Sequence, residues 1–283
     1  MPDAFCPYPC RIVIAALFVQ ILLMGSTTPA AAQLFDADLP RETKVRNLNL
    51  IGAGTIITWG VVNWDYFQKS PHSKSEHWFS KSTDEGGADK LGHLYSAYVL
   101  SRVYASIYHR WDYPEDQAMR LGALSALGTT GIVELGDSFS DYGFSYEDMV
   151  MNCVGVAAGY FLGTYPDWQQ RIDLRMEYAP SLKHSEGDLS TDYEHFKFLL
   201  ALKADAFTAL NDTPLRYLEL HLGYYVREDN DYHPTQEDDL ERTVYLGIGL
   251  NVGKLLATVW ETKLFNYVQL PYTYLPIEYS LDD

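Results

Sequence analysis

Cysteine is scarce, with three in 283 residues: Cys6, Cys10 and Cys153. Two of them stand before an N-terminal apolar run, so a chain that loses that run keeps one thiol. Such a chain has no internal disulfide and is stabilised by packing. Cys153 sits in an apolar helical stretch beside no obvious base and reads as a small buried hydrophobe. Positive charge is short as well: 21 Lys and Arg stand against 38 Asp and Glu, a formal net charge of −17. With no basic face to offset phosphate repulsion, nucleic acid is excluded as a partner. Several catalytic signatures are missing too. No H-E-x-x-H, no phosphate loop and no Ser or Cys in a nucleophile motif is present. There is no fixed-period repeat.

What is present begins with export. Arg11 precedes the uncharged run Ile12 to Gly25, and Ala30-Ala31-Ala32-Gln33 follows. A basic residue, a short apolar core and an A-x-A site predict a secretory signal peptide over 1–32, cleaved after Ala32. Tyrosine is abundant, at 22 residues, and suits wet interfaces, sugar-binding surfaces and membrane headgroup belts. The chain is therefore expected in the periplasm or at the outer membrane.

The remainder reads as α+β. Residues 33–168 form a helical region, a four-helix bundle with helices near 47–67, 90–111, 115–137 and 146–164. The first holds Leu48 to Trp64, seventeen residues without charge. These segments lie between buried core helices and membrane spans, and a compact bundle in or against a membrane is expected. Residues 169–283 carry a small antiparallel sheet packed on the bundle. Leu218, Leu220, Leu222, Tyr224 and Val226 alternate along one segment, and 244–252 alternates aliphatics with Gly, Tyr and Asn. Phe196 to Lys203 reads as either strand or helix. Too few strands are legible to close a barrel of eight.

Three polar pairs stand at helical spacings beside apolar runs: Asp89 and His93, Glu134 and Asp137, Asp148 and Asn152. Short loops make neighbouring helices antiparallel, so these pairs converge at one end of the bundle. Each pair also heads a stripe of small residues: Ala97, Ser101 and Ala105; Thr130, Ala126 and Gly122; Gly155, Gly159 and Gly163. Such stripes let helix backbones approach closely. Glu134 lies inside an apolar segment where an unpaired charge is costly, so it requires His93, Lys90, a metal or a ligand. An ionised Glu134 would favour the imidazolium of His93. Asp148 can serve the pocket or only a capping box with Ser145, and Asp89 can be a plain N-cap. Two chemistries fit: a divalent cation held by candidates Asp89, His93, Glu134, Asp137 and Asp148, or a metal-free His general base. The histidines at 72, 77, 184, 195, 221 and 233 lack partner spacing and read as solvated.

The order Asp89-Lys90-x-x-His93, Glu134-x-x-Asp137, Gly143-x-Ser145-x-x-Asp148 and Asn152-x-x-Gly155-x-x-x-Gly159 resembles the YfiM-like family of exported bacterial proteins, many of them lipoproteins. More distantly it is similar to VanZ-like membrane proteins. The resemblance covers about 89–163, with weaker similarity at 223–225 and 247–251. No lipobox cysteine is present, and Asp137 stands where VanZ-like proteins usually show Gln. The resemblance implies a cell-envelope role. The expected function is an envelope protein whose pocket binds or hydrolyses a glycan or lipid-linked envelope component. His93 would be base or ligand, Glu134, Asp137 and Asp148 would supply charge, and Asp89, Lys90 and Asn152 would bind and orient. The competing expectation is a non-catalytic structural or assembly protein whose cluster locks helices together.

Overall fold

A computed structural model describes residues 35–83, 85–179, 193–228, 240–257, 259–260 and 262–282. The proposed signal segment lies outside them, as do His184 and His233. Four long helices come first: α1 (Arg41–Asn63), α2 (Ala88–Arg110), α3 (Glu115–Asp137) and α4 (Tyr146–Thr164), with the short α5 (Pro166–Arg171) behind them. The third and fourth match their expected bounds, while α1 begins six residues earlier than the apolar pattern suggested.

Local chemistry sets the ends. Glu115 and Asp116 lie in the first turn of α3, where carboxylates complement the helix dipole. Ser145 caps α4, its hydroxyl accepting from the Asp148 backbone N–H at 3.2 Å. The N-cap of α2 is Gly87, in the left-handed region at φ 89°, and Asp89 lies inside the first turn rather than at the cap. Tyr66 wedges between α1 and α3: a Cβ on Gly60 or Gly136 would overlap its ring, and its hydroxyl reaches the Val133 carbonyl at 3.1 Å.

The small-residue stripes do what their spacing implied. A Cβ on Gly122 would lie 2.6 Å from the Ala105 nitrogen and 2.7 Å from the Ser101 carbonyl oxygen. A Cβ on Gly155 would overlap the Leu94 carbonyl, and one on Gly159 the Ser101 hydroxyl. The backbone of α2 thus packs directly on α3 and α4. The aromatic core beside it holds Tyr104, Tyr108 and Tyr113, with Tyr108 bonded to Ser125 at 2.7 Å and to Asn49 at 2.9 Å. Cys153 is exposed, not buried; its helix turns that face outward. No helix among the described residues is long and apolar enough to cross a membrane.

The second half is a six-stranded sheet, larger than expected. Its strands are β1 (Ile172–Tyr178), β2 (Phe196–Lys203), β3 (Leu218–Glu228), β4 (Leu240–Leu250), β5 (Val268–Gln269) and β6 (Tyr274–Ser280). The order is β5-β1-β2-β3-β4-β6, antiparallel throughout except for the parallel β1–β5 pair. Two short helices, α6 (Thr208–Asn211) and α7 (Val252–Leu256), lie in its connections. The segment 196–203, ambiguous by sequence, is a strand. Bundle and sheet meet through α2, where Tyr95 donates to the Tyr267 carbonyl at 2.7 Å.

The sheet curls. Four strand spacings separate β1 from β6, about 19 Å if flat, yet Glu177 and Tyr274 share a hydrogen bond. Lys197 on β2 lies 3.9 Å from Glu278 on β6. The concave side is charged and buried. Arg175 donates to both oxygens of Glu219, at 2.5 and 3.0 Å, and to Asp173 at 2.7 Å, while Lys203 reaches Asp173 at 2.8 Å. His221, expected to be solvated, is 1% exposed in this network, its Nε2 2.8 Å from Glu219. His195 is buried as well. Period two accounts for His221, which shares the inward face of β3 with Glu219, whereas His195 lies in the turn just before β2.

Candidate functional site

Four elements deliver the polar groups to one end of the bundle: the start of α2, the end of α3, the start of α4, and the extended segment 69–76. The last is stitched to the α3–α4 loop. Lys69 donates to the Phe139 carbonyl at 3.0 Å, His72 to Ser138 at 2.9 Å, Phe144 to His72 at 2.9 Å and Lys74 to Phe144 at 3.1 Å. That register carries Glu76 into the cluster.

Two subsites result. In the first, His93, Glu134 and Asp148 present ligand atoms that all lie within 4.8 Å of one another. His93 Nδ1 stands 3.3 Å from Glu134 and its Nε2 3.8 Å from Asp148. Asn152 is fully buried behind them; its amide nitrogen donates to Glu134 Oε1 at 3.1 Å, and its carbonyl oxygen has no partner among the described residues. The His93 side chain is 22% exposed and forms the open edge. In the second subsite, Lys90 is fully buried among carboxylates, 2.5 Å from Asp89, 2.7 Å from Asp148 and in contact with Glu76. Asp148 therefore belongs to both, and its carboxylate serves the cluster while Ser145 caps the helix.

Charge balance shapes the site. Burial, then the charges of Asp148 and Asp137, push the Glu134 carboxyl up to about 9, against the hydrogen bond from Asn152. The Glu134 carboxyl thus favours its protonated form near pH 7. Burial also raises Asp137 to about 7, with the charges of Asp148 and Glu76 adding to it and the bond from Tyr66 opposing. Burial raises Asp89 although Lys90 pulls it down. Burial would release the Lys90 proton, but Asp89 and Asp148 outweigh it and hold the ammonium charged.

The seven predicted residues all reach this end, in different company. His93, Glu134, Asp148 and Asn152 meet. Asp89 and Lys90 form the neighbouring ion cluster. Asp137 faces Tyr66 and stands outside the trio. Sequence reasoning missed Glu76, Tyr66 and Tyr193, whose ring packs on Gly92. It also missed Glu147, fully buried and bonded by Ser75 at 2.5 Å. None of these carries a helical spacing to the cluster.

No curated protein and no solved structure matches the chain. Residues 75–164 match the model of a family described as predicted periplasmic lipoprotein (DUF2279), so the stretch that spans Glu76, α2, α3 and α4 is similar to an exported, envelope-associated family.

Proposed function

We propose that this chain is a cell-envelope protein whose bundle holds a divalent cation between His93, Glu134 and Asp148, and that the cation and its open edge bind an anionic glycan or lipid-linked envelope component. One observation carries the reading: three ligand atoms from three helices converge within 4.8 Å. One imidazole and two carboxylates suit Zn²⁺ or Mn²⁺ better than Ca²⁺. The Lys90 ammonium is shared by Glu76, Asp89 and Asp148, so a cation at the trio would bind by displacing the proton that burial holds on Glu134. The unpartnered carbonyl of Asn152 lies beside it. His93, at the solvent edge, is the group that a bound component would meet, as ligand or as base. Export, with cleavage after Ala32, belongs to the same proposal and is supported by the likeness to periplasmic lipoproteins.

Titration of the purified protein with Zn²⁺, Mn²⁺ and Ca²⁺ by calorimetry tests it. The expected result is one site for Zn²⁺ or Mn²⁺, lost in His93→Ala. Absence of binding by any of the three would overturn it.

A second reading, a lock between helices, is favoured by the full burial of Lys90 across three carboxylates. A protein that binds no cation, and in which His93→Ala unfolds, supports the lock.

A further inference from the structure

The sheet is inverted: its charged side chains face inward and its aliphatic ones face out. Across the outer face the strand register aligns two continuous rows. Leu200, Leu222, Leu246 and Ile277 are paired neighbours on β2, β3, β4 and β6. Leu202, Leu220, Ile248 and Leu275 form the next row. On β3, β4 and β6 these side chains are half or more exposed, reaching 66% at Ile277 and 81% at Leu275. Helix α2 covers the β1–β2 side and the near edge of β3, where Leu91, Leu94 and Tyr95 border a cleft with Phe198, Leu200 and Leu222. No charged residue interrupts either row.

Both ends of the band are aromatic. At one end Tyr279, 62% exposed, pairs with Val244, and beyond it in the same register row Tyr224 packs edge-on against Phe79 and donates to the Gly86 carbonyl, where the band meets the bundle. Trp260 and Tyr272, 55% and 98% exposed, stand near the opposite end, since Tyr272 precedes β6 by two residues and Trp260 follows α7. From Tyr224 to Leu218 is six residues, roughly 20 Å along a strand and about 15 Å deep at a 45° tilt, half of a hydrocarbon core of about 30 Å.

We infer that this face of β3, β4 and β6 is a membrane-contact surface that sits in the acyl chains of one lipid leaflet. Apolar-out, polar-in alternation with aromatic rims is the pattern of lipid-facing strands. A second copy fits less well. The contacts of Glu177 with Tyr274 and of Lys197 with Glu278 make the inner side concave, so the aliphatic side is convex. Two convex faces touch along a line and fall short of the roughly 800 Å² per partner that a stable dimer buries, whereas acyl chains conform to curvature. The net charge of −17 gives no attraction to anionic headgroups, so contact is apolar and insensitive to salt.

The test is flotation of the full chain, purified from producing cells, with phosphatidylcholine vesicles at low salt and at about 1 M salt. The expected result is co-flotation at both. Leu246→Arg with Ile277→Arg, both at exposed positions, should lower the vesicle-bound fraction at least about tenfold. Leu124→Arg, on an exposed helix face, should float like the parent. Circular dichroism checks that each variant is folded; should the double variant fail that check, Leu275→Arg alone is read instead. A parent that stays in the aqueous fraction, or arginine variants that float equally, would overturn the inference. So would a parent that sediments as a dimer and is split by Leu246→Arg without ever binding vesicles.

Discussion

His93 Nδ1 lies 3.3 Å from Glu134 Oε1, and the same oxygen accepts from the Asn152 amide at 3.1 Å. One carboxyl thus joins α2, α3 and α4. Because it is neutral near pH 7, its charge contributes nothing to the fold there, whereas its shape and hydrogen bonds do. Glu134→Gln should therefore keep the fold within about 1 kcal/mol, since the amide preserves an acceptor for Asn152. Glu134→Ala leaves that buried amide unpaired and should cost about 2–4 kcal/mol from lost packing and desolvation together. Urea unfolding of both variants checks this. Equal destabilisation of the two would show that the carboxyl is charged in the fold. Both should abolish the Zn²⁺ or Mn²⁺ response, so the Gln variant separates cation binding from folding.

Stability should fall as pH rises through the neutral range. An acid raised on folding binds more protons in the native than in the unfolded chain, so its contribution is complete below the unfolded value near 4 and is lost towards the folded value. For Glu134 the window runs to about 9 and for Asp137 to about 7. Glu147 and Asp282, held below the ordinary carboxylate range by their hydrogen bonds, titrate under this window. The Tm without added cation should drop on the order of 5 °C between pH 5 and pH 9. Glu134→Gln should flatten most of that slope. Added Zn²⁺ or Mn²⁺ requires deprotonated ligands and should stabilise more at pH 8 than at pH 5. A Tm that climbs from pH 5 to pH 9 in metal-free buffer would contradict the protonated state of both acids.

The helical half was legible because its signals are local and periodic. Tyr146 to Thr164 begins at the Ser145 cap, Glu115 to Asp137 begins directly after Pro114 with two carboxylates in its first turn, and stripes such as Gly155 and Gly159 announce close packing. The convergence of His93, Glu134 and Asp148 followed from short loops and antiparallel order alone. Glu76 was not legible, because a strap is placed by backbone bonds to the 138–144 loop, which leave no period in the sequence. The sheet misled for another reason. Ile172-Asp173-Leu174-Arg175-Met176-Glu177 alternates like β3, but alternating charge ordinarily marks a solvated face. Here Asp173 and Arg175 point inward, where Glu219 and Lys203 from other strands neutralise them. Which face is buried depends on curvature and partners, which no single strand records. The same inversion hid His221.

Glycine contacts separate packing from flexibility. A Cβ on Gly155 would overlap the Leu94 carbonyl, which is backbone and cannot rotate away. Gly155→Ala should cost about 1–3 kcal/mol through forced separation of α4 from α2. Gly128, on the same bundle, has nothing within 4 Å of its added Cβ. There the substitution should instead stabilise by about 0.5–1 kcal/mol, since alanine loses less backbone entropy in a helix. Paired thermal melts would settle the matter, and a Gly155→Ala protein as stable as the parent would mean that α2 and α4 do not approach as closely as described.

Lys90 offers the sharpest separation of lock from ligand site. Its ammonium is fully buried and shared by Glu76, Asp89 and Asp148. Replacing one partner of a buried ionic cluster leaves the others uncompensated, a loss of about 3–5 kcal/mol. Lys90→Met keeps much of the volume and removes the charge, so the three carboxylates are left facing one another. Two consequences follow from that repulsion. Acid should restore stability, because protonation neutralises the carboxyls, so the variant should melt closer to the parent at pH 5 than at pH 8. A divalent cation should also restore it, because Glu76, Asp89 and Asp148 already present ligand atoms within 4.8 Å of one another. With all-oxygen ligands this second position suits Ca²⁺ or Mn²⁺. The parent should show no comparable Ca²⁺ effect, since its ammonium fills the position. Differential scanning calorimetry of parent and variant, with and without Ca²⁺, reads both. A Lys90→Met protein that melts like the parent at pH 8 would show that the ion cluster contributes nothing to holding α2 against α4.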